Sequence, residues 1–275
     1  MSKLLDAGFA RLWKNKLFYL EIIMLCIMSV FVCCTQFREV KNWNAEIHLE
    51  DAFFNCTPFI LLFSAAFIAL FTGSEYSDGT IRNKLIVGHA RPDVYLSEFI
   101  VNSVAMLIAY ASHLVVAFAL GLPMFGFFTI PVSQVFLQIL DAMFMVIALS
   151  ALFTMLTMLI GSKASSAVIC LVLVCALFIA GMFLRSALDE PEMFSEYMII
   201  ENNTVTMSDP VPNPRYLAGI KRQVYQFLFD FLPMGQAINV ANYSAFEWYY
   251  PLYSLILIAI TTAPGLLLFR RKDIK

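Results

Sequence analysis

Long runs of apolar residues alternate with shorter polar stretches along the chain, and the lengths of these runs give the first prediction. A helix rises about 1.5 Å per residue, so about 20 apolar residues cross the roughly 30 Å hydrocarbon core of a bilayer. Backbone groups in lipid must bond within their own segment, which favours helices over the short alternating segments of a β-barrel. The pattern predicts an all-α integral membrane protein with a single transmembrane domain, residues 1–275, and six spans at about 17–35, 53–72, 94–120, 132–160, 165–184 and 249–269.

The residues before the first span have a helical pattern of their own. In LLDAGFARLWKNK, the residues Leu5, Phe9, Leu12 and Trp13 recur near helical spacing among basic residues. This favours an interfacial helix over residues 1–16 along the inner membrane surface, with a simple charged anchor as the alternative. The first apolar run has full spanning length and lacks a clear small-residue cleavage site, so we expect it to be retained rather than removed as a signal.

The longest connection, at about 185–248, has two parts. The first part is acidic and rich in Pro and Asn, which predicts irregular extracytoplasmic structure. In the second part, apolar residues recur at helical spacing until Pro233 and Gly235 interrupt them. Such a short run predicts either a re-entrant helix or a helix that caps the outer surface. Its apolar residues are Ile220, Val224, Phe227, Leu228 and Phe231.

Lys and Arg are distributed unequally between the two sides of these spans. Twelve of the 18 basic residues lie in 1–16, in the connections after the second and fourth spans, and after the last span. The other six lie on the opposite side and are accompanied by many acidic residues. Since basic residues favour the cytoplasmic side, we predict that both termini are cytoplasmic, in agreement with an even number of spans.

Composition and motifs narrow the function classes. Hydrophobic residues make up 60% of the chain and charged residues 14%, against about 45–50% and 25% in soluble domains. No GxxxxGK[ST], HExxH or GxSxG motif occurs, so we predict no catalytic residue, no metal site and no ATP site in this chain. The net charge is −2 and there is no basic stripe with interleaved aromatic residues, which argues against a nucleic-acid partner.

Three ionisable residues within predicted spans are candidates for a polar function, and six cysteines lie mostly within the spans. Glu21, His113 and Asp141 are costly in lipid, so each either lines a pathway or bonds a neighbouring helix. The cysteines are interpreted as packing residues. A disulfide between Cys56 and either Cys33 or Cys34 stays open as an alternative.

The polar stretch SEYSDGTIRNKLIVGHARPD, residues 74–93, connects the second and third spans on the cytoplasmic side. Ile81, Leu85 and Ile86 form a small apolar face at helical spacing, and Asp78 and Arg82 are four residues apart, as in a supporting ion pair. A short amphipathic helix in the cytosol suits docking into a groove of another protein. The alternative is a solvated connector with a helical turn.

Two stretches resemble a known family. EYSDGTIRNKLIVGHAR resembles the cytoplasmic coupling segment of ABC-2 type permeases, the membrane subunits of ATP-driven exporters of the bacterial multidrug, bacteriocin-immunity and antimicrobial-peptide-resistance kind. FLPMGQ, residues 231–236, resembles the outer re-entrant segment of that family. Together with the interfacial N-terminal helix and the six-span plan, the resemblance covers essentially the whole chain.

The resemblance implies a half-transporter in a bacterial cytoplasmic membrane. It would pair with a second permease chain, the same or related, and move an amphipathic, peptide or lipid-like substrate between the two by alternating access. The first, second and fifth spans would line the cargo path. Separate ABC ATPase subunits would bind ATP and Mg²⁺, and this chain would hold no cofactor.

The resemblance also implies roles for particular residues. Glu75 would pair with a basic group on the inner surface, and Arg82 and Lys84 would contact the ATPase. The implied coupling residues are Glu75, Asp78, Gly79, Thr80, Ile81, Arg82, Lys84 and Leu85. The implied outer re-entrant residues are Phe231, Pro233, Gly235 and Gln236.

Two other functions use the same spans. A membrane scaffold or sensor would bind a kinase or regulator instead of an ATPase. A membrane-embedded enzyme would need catalytic residues clustered at one depth, and its only candidates, Glu21, His113 and Asp141, have different predicted depths.

Overall fold

Helices make up most of this computed structural model, which describes residues 1–194, 198–201, 204–207, 210–244 and 246–273. The helices within these residues are α1 (Ser2–Lys14), α2 (Lys16–Trp43), α3 (Leu49–Phe54), α4 (Phe59–Ser77), α5 (Thr80–Ile86), α6 (Arg91–Phe125), α7 (Val132–Ile160), α8 (Lys163–Leu188), α9 (Gly219–Phe231), α10 (Pro233–Ala241) and α11 (Tyr249–Arg271). Six segments are long and apolar enough to span a membrane: α2, α3 with α4, α6, α7, α8 and α11. This confirms the prediction of six candidate spans in a multi-pass helical protein.

The first two spans differ from their predicted bounds. Helix α2 continues to Trp43, about two turns beyond the predicted end at residue 35. The second span is interrupted, because α3 ends at Phe54 and α4 begins at Phe59 after a turn that contains Pro58. Proline lacks an N–H group and starts a helix more readily than it continues one, which accounts for the break.

Helices α4 and α7 form the centre of the bundle. Helix α7 packs against α4, α6, α10 and α11, and α4 packs against α8, while α2 lies on α6. Large apolar side chains fill the space between them, including Phe67, Phe71 and Phe153. Helices α8 and α11 leave more of their apolar surface exposed, as expected of helices at the edge of a bundle in lipid.

The N-terminal helix is present, but it is rotated relative to its predicted face. Its buried residues are Leu4, Gly8 and Leu12, whereas Trp13 is exposed. Gly8 allows close contact with α6, since a Cβ atom there would lie 2.8 Å from a methyl carbon of Val101. The rotation turns the side of α1 that carries Arg11 towards the bundle.

The acidic part of the long connection is more regular than predicted. It contains the strands β1 (Met193–Phe194), β2 (Met198–Glu201), β3 (Thr204–Met207) and β4 (Val211–Pro212), with β1 paired to β4 and β2 to β3, both antiparallel. The prediction of irregular structure is therefore wrong here. The sequence IIENNTVTM is rich in β-branched residues on both sides of two asparagines, a composition that favours a hairpin.

The rest of that connection forms two short helices, α9 and α10. They contain 13 and 9 residues, or about 20 and 14 Å, too short to cross a bilayer. Leu232 has an extended backbone and Pro233 occupies the first turn of α10, so the chain bends where the sequence predicted an interruption. Most of α10 is buried, and it packs against α7 and α8.

Candidate functional site

Two glutamates and two basic side chains meet where the ends of α4, α5 and α6 come together. The Lys84 Nζ atom lies 2.6 Å from Glu75 Oε2 and 2.9 Å from Glu98 Oε1. The Arg11 Nη2 atom lies 3.1 Å from Glu98 Oε2, and its Nη1 atom pairs with Glu75 Oε1. Each carboxylate therefore contacts both bases. We call Arg11, Glu75, Lys84 and Glu98 the charge network.

The two carboxylates of the charge network are deeply buried, its two basic side chains are partly buried, and the four formal charges sum to zero. Glu75 is 3% exposed and Glu98 is 1% exposed. Burying a charge is costly unless it is paired and hydrogen-bonded, and here two negative groups face two positive ones. Burial alone would lower the pKa of Lys84, but the nearby charges of Glu98 and Glu75 outweigh burial and raise it above its usual value. The Lys84 ammonium therefore remains charged.

A tight turn brings Lys84 back to Glu75. Helix α4 ends at Ser77, and Gly79 adopts a left-handed conformation with φ of 68°, which glycine accepts without steric cost. The Thr80 hydroxyl then donates a hydrogen bond to the Glu75 carbonyl oxygen at 3.0 Å. The coupling residues that the sequence singled out, Gly79 and Thr80, thus shape the turn that closes the charge network.

The amphipathic helix predicted within residues 74–93 covers only Thr80–Ile86, and its faces differ from the prediction. Asp78 precedes α5, and no ion pair joins it to Arg82 in the part of the chain that the structure describes, so that predicted pair is wrong. Ile81 is fully buried and Leu85 packs beside it, both against the chain's own core. Ile86 is 70% exposed. The predicted apolar face is therefore divided between the protein's interior and its surface.

Polar contacts extend the charge network towards α7. The Thr72 hydroxyl lies 3.5 Å from Glu98 Oε2, and the Asn102 side-chain amide donates to the hydroxyls of Thr72 at 2.9 Å and Thr154 at 2.8 Å. The Arg11 guanidinium also lies 3.8 Å from the centre of the Phe71 ring, a cation–π contact. Helices α1, α4, α5, α6 and α7 are all joined at this point.

Glu98 and Arg11 were not singled out from the sequence. Glu98 lies within the predicted third span, where an acidic side chain is itself a signal of function or of a buried partner. Arg11 is one of four basic residues in 1–16, and nothing in the sequence distinguishes it from the others. The residues that do appear in both the prediction and the charge network are Glu75 and Lys84, with Glu75 paired to basic groups as expected.

The C-terminal end of α11 is held by hydrogen bonds beside the charge network. The Tyr76 hydroxyl donates to the Met158 carbonyl oxygen at 2.6 Å, and Lys272 Nζ donates to the same oxygen at 2.9 Å. Arg91 donates to the Phe269 carbonyl oxygen at 3.2 Å. Burial lowers the pKa of Lys272. The ends of α4, α6, α7 and α11 thus lie on the same side of the bundle as α5.

The three span residues that the sequence marks as pathway or interhelix candidates lie in separate surroundings. Glu21 lines a cavity of about 230 Å³ between α2 and α4. The His113 Nδ1 atom lies 3.2 Å from the Ser29 hydroxyl oxygen, so it contacts a neighbouring helix. Asp141 is buried on α7. The structure does not bring these three side chains together.

The predicted outer segment is tightly held. The Gln236 side-chain amide donates to the Asp230 carbonyl oxygen at 3.0 Å and accepts from the Ser254 hydroxyl at 2.7 Å. Phe231 stacks on Phe227 with ring centres 5.8 Å apart. A Cβ atom at Gly235 would overlap the Phe229 carbonyl oxygen, so the bend before α10 depends on glycine.

The cysteines and the potential metal ligands add no further cluster. All six cysteines are free thiols, so the Cys56 disulfide that the sequence left open is not formed. Over the described ranges, no three His, Cys, Asp or Glu side chains are grouped as a metal site requires.

No model of a known protein family matches the chain, and no curated protein matches it at a significant level.

Proposed function

We propose that this chain is the membrane subunit of an exporter powered by a separate ABC ATPase, and that α5 is the segment on which the ATPase acts. One observation carries the proposal: Lys84, on this short polar helix, is bonded to glutamates on both α4 and α6. A displacement of α5 would therefore be transmitted to two membrane helices, and through Arg11 to α1. The resemblance of residues 75–91 to the coupling segment of ABC-2 permeases supports the same assignment.

The solvent-exposed face of α5 is suited to a protein partner. Ile86 and Val87 are 70% and 78% exposed, next to the exposed side chains of Arg82 and Asn83. Apolar side chains exposed in a polar connection are typical of an interaction site, and a short helix that offers them fits a groove on another protein. Lys84 faces the interior, so we now assign the ATPase contact to Arg82, Ile86 and Val87.

The complete transporter would contain a second permease chain and two ATPase subunits that bind ATP and Mg²⁺. ATP binding and hydrolysis in the partner would shift the spans between two states, because a ligand shifts an equilibrium by its differential affinity for those states. The exposed apolar surfaces of α2 and α8 are available for the second chain or for lipid. The proposed cargo is amphipathic, peptide or lipid-like.

The docking proposal predicts the loss of a soluble ATPase from one variant. The tagged chain would be recovered from its host's membranes in mild detergent, and the proteins that accompany it identified by mass spectrometry. Replacing both Ile86 and Val87 by Asp is expected to reduce ATPase recovery at least about tenfold, since 1.4 kcal/mol of lost contact energy suffices. Both residues are exposed, so the fold should be unchanged.

The control is Phe127→Asp, which changes an exposed apolar residue in the connection between α6 and α7, at the other end of the bundle. It should leave ATPase recovery at the wild-type level. Recovery of a kinase or regulator in place of an ATPase would favour the scaffold or sensor function. If the Ile86→Asp/Val87→Asp variant and the Phe127→Asp variant recover the same amount of ATPase, α5 is not the docking segment.

We also propose that both termini lie in the cytoplasm of a bacterial cell. A fluorescent protein that folds only in the cytoplasm should be bright when fused after residue 275. Alkaline phosphatase, which is active only outside, should be inactive at that position and active when inserted at residue 129, between α6 and α7. The reverse pattern at the two positions would contradict this orientation and place α5 out of reach of a cytoplasmic ATPase.

A further inference from the structure

A second polar site lies between α9 and α11, at the end of the bundle opposite the charge network. Helix α11 begins beside this site at Tyr249 and ends near the charge network at Arg271, about 33 Å away along the helix. The site is an open cleft of about 520 Å³, lined by Gly219, Arg222, Gln223, Gln226, Phe227, Asp230, Tyr249 and Tyr253.

Asp230 is the most buried polar group of this cleft, with 2% of its surface exposed. The Gln226 amide donates to Oδ1 at 3.0 Å and to Oδ2 at 3.1 Å, and the Asn239 amide donates to Oδ1 at 3.3 Å. No basic side chain lies within ion-pair distance of Asp230 in the described residues. A buried carboxylate that is held only by neutral groups, here two amides and the Tyr249 side chain, lacks the cation that would normally compensate its charge.

Burial and, to a smaller extent, the nearby charge of Glu247 raise the pKa of Asp230, and the side chains of Gln226, Asn239 and Tyr249 only partly offset that effect. A cation bound in the cleft would favour the ionised carboxylate.

Aromatic rings form the walls around this carboxylate. The ring centres of Phe227 and Tyr253 are 5.7 Å apart, nearly perpendicular, and those of Tyr249 and Tyr253 are 5.3 Å apart. Aromatic faces next to a carboxylate are the usual recognition elements for an ammonium group. The negatively charged face of each ring attracts the cation, and this attraction is strongest when the cation is desolvated.

Arg222 carries a positive charge, opposite to that of Asp230, and lies two turns before Asp230 on α9. Its Nη2 atom donates to the Leu188 carbonyl oxygen at 3.1 Å, while its Nη1 atom is buried without a hydrogen-bond partner among the described residues. The Arg222 side chain lines the cleft and is only partly buried, and a guanidinium in that position suits a phosphate. The same helix exposes Ile220, Val224 and Leu228, so apolar chains could lie beside the cleft.

We propose that this cleft binds a zwitterion in which an ammonium and a phosphate are joined by a short linker, as in the headgroup of phosphatidylcholine or phosphatidylethanolamine. The ammonium lies between Asp230 and the two tyrosines, and the phosphate contacts Arg222. The same chemistry occurs in a lipid headgroup and in a free phosphocholine-like compound. The site is independent of the proposed ATPase docking.

The test uses the full chain in a maltoside detergent, with Trp248 as the reporter because its ring centre lies 6.0 Å from that of Tyr249. Trp13 and Trp43 are replaced by Phe so that only Trp248 reports. The probes are dihexanoyl phosphatidylcholine, dihexanoyl phosphatidylglycerol, free phosphocholine and tetramethylammonium. We expect saturable binding of the phosphatidylcholine, at least about tenfold tighter than that of the phosphatidylglycerol, which lacks the ammonium.

Asp230→Asn is expected to weaken phosphatidylcholine binding at least about tenfold. The control Lys221→Gln, at an exposed residue of α9 that does not line the cleft, should change it less than about twofold. Arg222→Gln provides a second test that keeps Asp230 intact. It should weaken phosphocholine binding and leave tetramethylammonium binding unchanged, because only the phosphate contact is lost.

The outcomes separate the two sources of the ligand. Tight binding of the lipid with weak binding of phosphocholine assigns the site to a lipid headgroup. Equal binding of the two supports the site and assigns it to a soluble zwitterion. Equal binding of phosphatidylglycerol and phosphatidylcholine, or a folded Asp230→Asn variant that binds as the wild type does, overturns the proposal.

Discussion

Replacing Glu98 by alanine is expected to lower the free energy of unfolding by about 3–5 kcal/mol, the usual cost of removing one member of a buried ion pair. Glu98 contacts Lys84 at 2.9 Å and Arg11 at 3.1 Å. Without it, two partly buried cations share the single carboxylate of Glu75. The loss arises mainly from the uncompensated positive charge rather than from the missing contacts themselves.

This expectation is checked by chemical unfolding of the purified protein in micelles, followed by the loss of helical circular dichroism. The control is Asp189→Ala, which removes the acid of an ion pair with Arg185 at 2.7 Å that is largely exposed to solvent. An exposed pair contributes about 0–1 kcal/mol, so the control should hardly change the free energy of unfolding. A Glu98→Ala variant as stable as the control would show that the charge network does not hold the helices together.

Replacing Gly235 by alanine is expected to destabilise the protein by at least about 3 kcal/mol, at the upper end of overpacking costs. The added Cβ atom would overlap the Phe229 carbonyl oxygen. That oxygen belongs to the last turn of α9, so the backbone itself would have to move. The bend between α9 and α10 would open, and the Gln236 bonds to Asp230 and Ser254 would be lost.

Gly181→Ala on α8 is the matched control, since it also adds one methyl group next to α10. There the new Cβ atom would lie 2.6 Å from Cγ and 3.1 Å from Cβ of Met234, side-chain atoms that shift more easily than a backbone carbonyl. Its expected cost is about 1 kcal/mol. Unfolding midpoints and the yield of monodisperse protein compare the two variants. Equal losses would mean that the bend does not depend on the glycine at position 235.

The six spans could be predicted from the sequence because a helix that crosses a bilayer requires a long run of apolar residues. Such runs are rare in other structures. The interruption between α3 and α4 was missed, although Pro58 marks it, because the average hydrophobicity of the window stays high across the turn. The strands between residues 193 and 212 were missed for a similar reason. Proline, asparagine and acidic residues suggested a loop, and the β-branched residues between them decided the local structure.

The charge network could be predicted only in part. Glu75 and Lys84 belong to one polar connection, so their importance is visible locally. Glu98 and Arg11 are 87 positions apart, and their contact depends on how α1 packs against α6. The inward direction of Ile81 was also beyond prediction, because a short amphipathic helix can turn its apolar face towards its own protein or towards a partner, and the spacing is the same in both cases.

The order of the charged residues along the chain has a consequence for biogenesis. Lys84 is nine positions after Glu75 and fourteen before Glu98, so a helical hairpin of α4, α5 and α6 contains a base for both acids. Arg11 has left the ribosome long before either glutamate. All four members are therefore available to a nascent chain before α7 is translated. We expect the first half of the protein to settle in the bilayer with its buried acids already neutralised, and the later helices to be added around it.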